Sequence, residues 1–181
     1  MSVDHVLYPL SLFCGRDGSE LPPYRLVEPA ELPEPDRGLL VHERDMTSVL
    51  QEFHAQELHL RNLEFVHENE CVLRQVLLLR QDEQPAEFGA IDIRLPPFAE
   101  NAQAEIIASH TPLGAILNRY HIGYSSAPSA FFEIDSGGII GDALGLDAPA
   151  RLFGRTNVLR TEQNQVMARV VEILPPSHKE V

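Results

Sequence analysis

The sequence predicts an α+β fold in which an antiparallel sheet of about six strands is covered by helices. Three observations lead to this prediction. Six apolar runs have the length of strands, and the first three are separated by short polar loops, as in an antiparallel meander. Three other stretches have the spacing of helices. The chain of 181 residues is long enough for one domain with a substantial core.

The N-terminal segment 1–38 differs in composition from the rest of the chain. It is rich in proline and acid, with LPPY at 21–24 and EPAELPEPDR at 28–37. Prolines at this density disfavour helices and central strands, so we expect an extended arm. Scattered leucines in the arm indicate that it packs on a single domain formed by residues 39–181.

Three helices are expected. The first has Asp45 as its N-cap. Its apolar stripe consists of Met46, Val49, Leu50 and Phe53. The other two are expected at 99–108 and 112–120, the latter with Thr111 as N-cap and Pro112 in its first position.

The strands are predicted from runs rich in β-branched and aromatic residues. They are expected at 57–66, 71–80, 88–95, 129–134, 152–161 and 166–174. The first run does not alternate cleanly between apolar and polar residues, which predicts a bulge. The segment 136–150 is a loop rich in glycine and alanine, and the sequence leaves its order open.

Charge and composition exclude several classes of function. The formal net charge of −13 repels phosphates, so we expect neither a nucleic-acid nor an anionic-membrane partner. No run approaches the roughly 20 apolar residues of a membrane span, and the N-terminus lacks the basic region of a signal peptide. These features predict a cytoplasmic protein. The two cysteines and the scattered histidines do not have metal-ligand spacing, so no metal site is expected.

The strand CVLRQVLLLR at 71–80 carries an arginine within an otherwise apolar run. Because side chains alternate between the faces of a strand, Arg74 shares one face with Val72, Val76 and Leu78. The opposite face is also mostly apolar, which indicates that the strand is covered on both sides. A guanidinium in such a position costs several kcal/mol unless an anion pairs with it.

Later segments offer groups that could accompany this charge. Glu172 is the acidic residue on an otherwise apolar face of the last strand, and Arg155 lies on the same side of its strand as Asn157. Two arginines and a glutamate facing a core indicate a pocket for a small, partly apolar anion. The residues alone equally allow Arg74 to pair with Glu172. The free backbone N–H of Leu113, near the start of a helix, favours a ligand.

Six short motifs occur in an informative order. They are ERDMTSVLQEF (43–53), VLRQVLLL (72–79), TPLGAIL (111–117), FFEI (131–134), FGR (153–155) and VVEILPP (170–176). From about residue 39 to residue 176, this order resembles the chorismate pyruvate-lyase family. The resemblance implies an antiparallel six-stranded sheet with helical flaps over an internal ligand site. It also implies conversion of chorismate to 4-hydroxybenzoate and pyruvate, with no metal or organic cofactor.

The resemblance implies a role for each candidate residue. Arg74 would bind the ring carboxylate, assisted by the backbone N–H of Leu113, and Glu172 would meet the hydroxyl at the opposite end of the ring. Met46 would lie on a flap and touch the ring. Arg155 matches the arginine of the family's GR element and would bind the enolpyruvyl carboxylate. Arg74, Arg155 and Glu172 are therefore the candidates for catalysis, with Glu172 as a proton donor.

The sequence also departs from the better-known bacterial enzymes of that family. Gln75 stands where their motif has glutamate, and the proline-rich arm and segment 136–150 look like additions. A lyase acting on a relative of chorismate therefore stays open. So does a non-catalytic sensor or carrier of an aromatic acid, because the ligand-sensing domains of GntR-type regulators share this fold. The sequence does not distinguish a monomer from a dimer.

Overall fold

The computed structural model describes residues 5–176 and contains an antiparallel sheet of seven strands in the order β1-β5-β6-β7-β4-β3-β2. The strands are β1 (Tyr24–Val27), β2 (His59–Glu68), β3 (Cys71–Leu79), β4 (Pro85–Arg94), β5 (Ser125–Asp135), β6 (Arg151–Arg160) and β7 (Val166–Ile173). The helices are α1 (Leu10–Asp17), α2 (Asp36–Leu40), α3 (Met46–His54), α4 (Glu100–Ala108), α5 (Leu113–Arg119) and α6 (Ile139–Leu144). The predicted α+β class is confirmed.

The six predicted strands correspond to β2 through β7. The expected irregularity in the first of them is a shift of register between Asn62 and Glu64. β5 is longer than predicted because it continues through Pro128, where its pairing with β6 shifts again. Pro128 is tolerated there because β1 pairs with β5 only from Phe131 onward, so the proline lies on an open edge.

The N-terminal arm is folded rather than simply extended. It supplies β1 at one edge of the sheet, a 3-10 turn at Pro29–Glu31, and the helices α1 and α2. Pro9 and Pro35 occupy the N-cap positions of these helices, and Pro29 opens the 3-10 turn. Proline has no N–H to contribute there and its fixed φ suits a helix start, so these prolines begin helices instead of preventing them.

Two layers of helices bury both faces of the central strands. On one face, α1 and α6 pack against a cluster that includes Leu77, Phe88 and Phe132. On the other face, α3, α4 and α5 cover residues such as Val72, Leu78 and Ile91. The second face also carries Arg74, and the alternation predicted from the sequence is therefore the one observed.

The starts of α3 and α5 lie side by side. Asp45 caps α3, as predicted, and its side chain accepts a hydrogen bond from the Ser48 N–H at 2.8 Å. α5 begins one residue later than expected, with Pro112 as the N-cap and Leu113 in the first helical position. The two starts touch, since a Cβ on Gly114 would lie 2.3 Å from Asp45 Oδ1. Glycine at position 114 therefore permits this close approach.

A glycine-to-alanine pair tests the packing of the sheet. Gly154→Ala would place a Cβ 2.5 Å from the Glu172 carbonyl oxygen and 2.6 Å from Phe132 Cζ. We expect this overpacking to lower the free energy of unfolding by about 1–3 kcal/mol in urea titrations. Gly15→Ala is the control, because a Cβ in that helix meets no atom within 4 Å. Equal effects of the two substitutions would contradict the packing described.

Candidate ligand-binding site

A cavity lies between the sheet and the starts of α3 and α5. Side chains from six strands form its floor: Leu60 from β2, Arg74, Val76 and Leu78 from β3, Glu87 and Ile91 from β4, Ser126 from β5, Asn157 and Leu159 from β6, and Val170 and Glu172 from β7. The segments 45–47 and 112–114, together with Leu117, form its roof. The centre of a water molecule can move within about 70 Å³ of this cavity, several times the ~10–15 Å³ that one buried water requires. A small organic molecule is therefore a suitable occupant.

Arg74 is a buried cation without an anionic partner. Its side chain is 1% exposed, and within residues 5–176 no carboxylate oxygen lies within 4.0 Å of it. One Nη donates to Ser109 Oγ at 3.1 Å and the other to the Thr111 carbonyl at 3.4 Å. The buried Nε has no partner in the described structure. Burial lowers the pKa of Arg74 to about 10, so the guanidinium is still charged at neutral pH.

The surroundings of Arg74 fix its position. Ser109, at the end of α4, accepts from Arg74 and donates from the same hydroxyl to Asn62 Oδ1 at 2.8 Å. The Asn62 amide in turn donates to the Ser109 carbonyl at 2.6 Å. Asn62 reaches this point from the bulge of β2, as bulges commonly redirect a side chain. Neither residue was predicted from the sequence, although the irregular run at 57–66 indicated the bulge that positions Asn62.

Glu172 pairs with Arg155 and not with Arg74. Arg155 Nε lies 2.5 Å from Glu172 Oε2, and both side chains are buried. Arg155 Nη1 also donates to the carbonyls of Leu40 and His42 at 2.9 Å each. This arginine therefore joins β6 and β7 to the chain between α2 and α3. The alternative of an Arg74–Glu172 ion pair is excluded by this arrangement.

Of the candidate residues, four line the cavity and one does not. Arg74 and Glu172 form parts of its floor, while Met46 and Leu113 form parts of its roof. Arg155 lies behind Glu172, outside the lining, with its nitrogens committed to protein acceptors. Arg155 was expected to bind a second ligand carboxylate. In the structure its guanidinium donates to Glu172 and to main-chain carbonyls instead, so this expected contact has no support in the geometry.

The two charged ends of the cavity are well separated. Arg74 pairs with Ile91 across β3 and β4, and Ile91 pairs with Val170 across β4 and β7. Glu172 lies two residues beyond Val170 on the same face. Strand spacing and rise therefore put the Cα atoms of Arg74 and Glu172 about 12 Å apart.

A second carboxyl group, that of Glu87, lies at the Glu172 end of the cavity and was not predicted from the sequence. Glu87 is 5% exposed and lines the cavity, and within residues 5–176 no basic nitrogen lies within 4.0 Å of its carboxyl group. Its pKa is raised well above the usual range, first by burial and then by the negative charge of Glu172. Alternation could have identified it, since Glu87 shares a face with Gly89 and Ile91, but the predicted strand began at Phe88.

Among residues 5–176, no group of three or more His, Cys, Asp or Glu side chains is arranged to hold a metal ion. In the same range, none of the helices has the length and apolar character required to cross a membrane.

Comparisons with known proteins match the fold at low identity. No family model and no curated protein matches the chain. PhnF from Mycobacterium smegmatis aligns with a TM-score of 0.58 and 10% identity, over 92% of this chain and 93% of PhnF. Gene product SA0254 from Staphylococcus aureus subsp. aureus N315 gives 0.50 and 8%, over 75% and 90% of the two chains. The ligand-binding domain assigned to a GntR-family transcriptional regulator from Bordetella bronchiseptica gives 0.49 and 14%, over 67% and 87%. These likenesses concern the fold alone.

Measurements of the free energy of unfolding can distinguish the roles of the two buried arginines, Arg74 and Arg155. Arg74→Met removes an unpaired buried charge, so we expect the free energy of unfolding without ligand to rise by about 1–3 kcal/mol. Glu172→Gln leaves Arg155 without its anion, and we expect a loss of about 3 kcal/mol or more. Urea unfolding of both variants at pH 7 provides the comparison. A large loss for Arg74→Met would show that this arginine has a structural anion, contrary to the site described.

Proposed function

We propose that the chain is a binding protein for a small molecule with one carboxylate, which Arg74 holds inside the cavity. The observation that carries this proposal is the buried, charged and unpaired guanidinium. A carboxylate would satisfy the free Nε and an Nη in the bidentate geometry that arginine favours. The cost of burying Arg74 in the unliganded protein is then offset when the ligand enters.

The rest of the cavity favours an aromatic acid. Its walls between the charged ends are mostly apolar and include Met46, Val76, Ile91, Leu117 and Val170. Thr47, Ser126 and Asn157 add neutral polar groups to the lining. A flat ring suits a narrow space between a sheet and two helix starts, and ligand sites commonly combine an apolar lining with few polar groups. The spacing of about 12 Å between the Cα atoms of Arg74 and Glu172 leaves room for one ring with a polar group at each end. 4-Hydroxybenzoate is the simplest such probe.

A chorismate lyase is the second candidate, favoured by the order of the sequence motifs and by the presence of Glu172 in the cavity. The reaction breaks the bond between the ring and the enolpyruvyl oxygen and moves a proton as the ring becomes aromatic. Chorismate carries two carboxylates, and Arg74 is the one basic residue among the described cavity-lining residues. The binding function accounts for this charge distribution better than the lyase does.

A thermal-shift experiment tests the binding function. At a concentration 100 times its Kd, 4-hydroxybenzoate should raise Tm of the wild-type protein by about 5–10 °C. Arg74→Met should abolish the shift, because the carboxylate then meets no cation. Arg80→Met is the matched control, since Arg80 follows the same strand but lies outside the cavity. A full shift in Arg74→Met, or none in the wild type at millimolar ligand, would contradict the proposal.

An enzymatic assay decides between the two candidates. The purified protein is incubated with chorismate, and 4-hydroxybenzoate and pyruvate are followed together by chromatography. The binding function predicts no formation above the spontaneous rate. Stoichiometric formation of both products, lost in Arg74→Met, would establish the lyase instead.

A further inference from the structure

The end of the cavity opposite Arg74 contains the carboxyl groups of Glu87 and Glu172 on the floor, a third carboxyl group, Asp45, in the roof, and one nearby cation, Arg155. Glu87 and Glu172 line the cavity from adjacent strands, β4 and β7. Gly89, the register partner of Glu172, lies beside Glu87, since a Cβ added at position 89 would be 3.5 Å from Glu87 Oε1 and 3.2 Å from Val76 Cγ2. Arg155 Nε pairs with Glu172, and Arg155 does not line the cavity. The positive charge at this end is therefore neutralised by Glu172 and is not available to a ligand.

We propose that Glu87 is a neutral carboxylic acid whose O–H donates to the bound ligand, so that the site selects an acid with a hydroxyl at its far end and rejects a second carboxylate. This inference rests on the proposed function and specifies its ligand class. Glu87 would donate to the ligand hydroxyl and the Glu172 carboxylate would accept from it. A hydroxyl group is the simplest group that can do both at once.

The charges facing Glu87 support its neutral form. Glu172 faces it from β7 and Asp45 from the start of α3, and both raise the pKa of Glu87 beyond the effect of burial. Arg155 on β6 acts in the opposite direction but is paired with Glu172. Arg74 on β3 lies at the other end of the cavity, four residues from Leu78, the register partner of Glu87. Proton uptake by Glu87 is the response that lowers the buried negative charge.

A second ligand carboxylate at this end would meet an acid, a carboxylate and no free cation. Burying such a charge uncompensated is costly, and sites built for a hydroxyl discriminate strongly. We expect terephthalate, which replaces the hydroxyl of 4-hydroxybenzoate with a carboxylate, to bind at least about 100-fold more weakly at pH 7. Benzoate, which lacks a far polar group, should bind with intermediate affinity.

Calorimetric titration with these three acids tests the inference. The expected order of affinity is 4-hydroxybenzoate, benzoate, terephthalate, and Glu87→Met should bring the affinity for 4-hydroxybenzoate down to that for benzoate. Terephthalate binding as tightly as 4-hydroxybenzoate, while Arg74→Met still abolishes binding of both, would overturn the role of Glu87 alone. Binding that ignores Arg74→Met, or no binding of any of the three acids, would overturn the proposed function and this inference with it.

The pH dependence of stability tests the neutral form of Glu87 without ligand. Because its folded pKa is raised, the folded chain retains a proton that the unfolded chain releases above the ordinary glutamate pKa. Relative to Glu87→Gln, the wild type should lose up to about tenfold in its folding equilibrium constant for each pH unit from ~4.5 up to the folded pKa. Parallel curves for the two proteins between pH 5 and 8 would overturn the neutral form.

Discussion

The ion pair between Arg155 and Glu172 determines the electrostatics of the whole site. It joins two central strands and, through the carbonyls of Leu40 and His42, anchors the chain that leads into α3. Because Arg155 supplies the cation that Glu172 needs, Arg74 is left with a hydroxyl and a carbonyl as its partners. The two arginines therefore have opposite roles. Arg155 is paired with an anion of the fold, whereas Arg74 has only neutral acceptors among the described residues.

A well-packed core surrounds the site and offsets the cost of burying the unpaired charge of Arg74. Helices cover both faces of the central strands, and α1 and α6 complete an apolar layer on the side away from the cavity. Glycine at position 114 permits the starts of α3 and α5 to lie close together above the cavity. The Asn62–Ser109 pair fixes the guanidinium of Arg74 from the side. The fold thus holds Arg74 and Glu87 in positions where neither has a partner of opposite charge among the described residues. Proteins commonly give up optimal local interactions in this way at functional sites.

Much of this architecture could be predicted from the sequence because local signals determine it. The cap at Asp45, the bulge in β2 and the inward face of Arg74 each follow from spacing and alternation. The partner of Glu172 could not be predicted, because the residues alone did not decide between two arginines and only the strand order does. Glu87 was not predicted, because the strand was expected to begin at Phe88 and this inward-facing residue therefore lay outside it. The helices of the N-terminal arm were missed because proline disfavours helix interiors yet suits helix starts.

The proposed function depends on Arg74 as the free cation that binds a ligand carboxylate. Nuclear magnetic resonance of the arginine side chains, with ¹⁵N-labelled arginine and titration of 4-hydroxybenzoate, observes this directly. We expect the Arg74 Nε–H signal, assigned by its absence in Arg74→Met, to shift and to exchange more slowly with water as the ligand is added. The Arg155 signal should change little, since its anion is already in place. An Arg74 signal that stays unchanged at saturating ligand, or a shift confined to Arg155, would contradict the account.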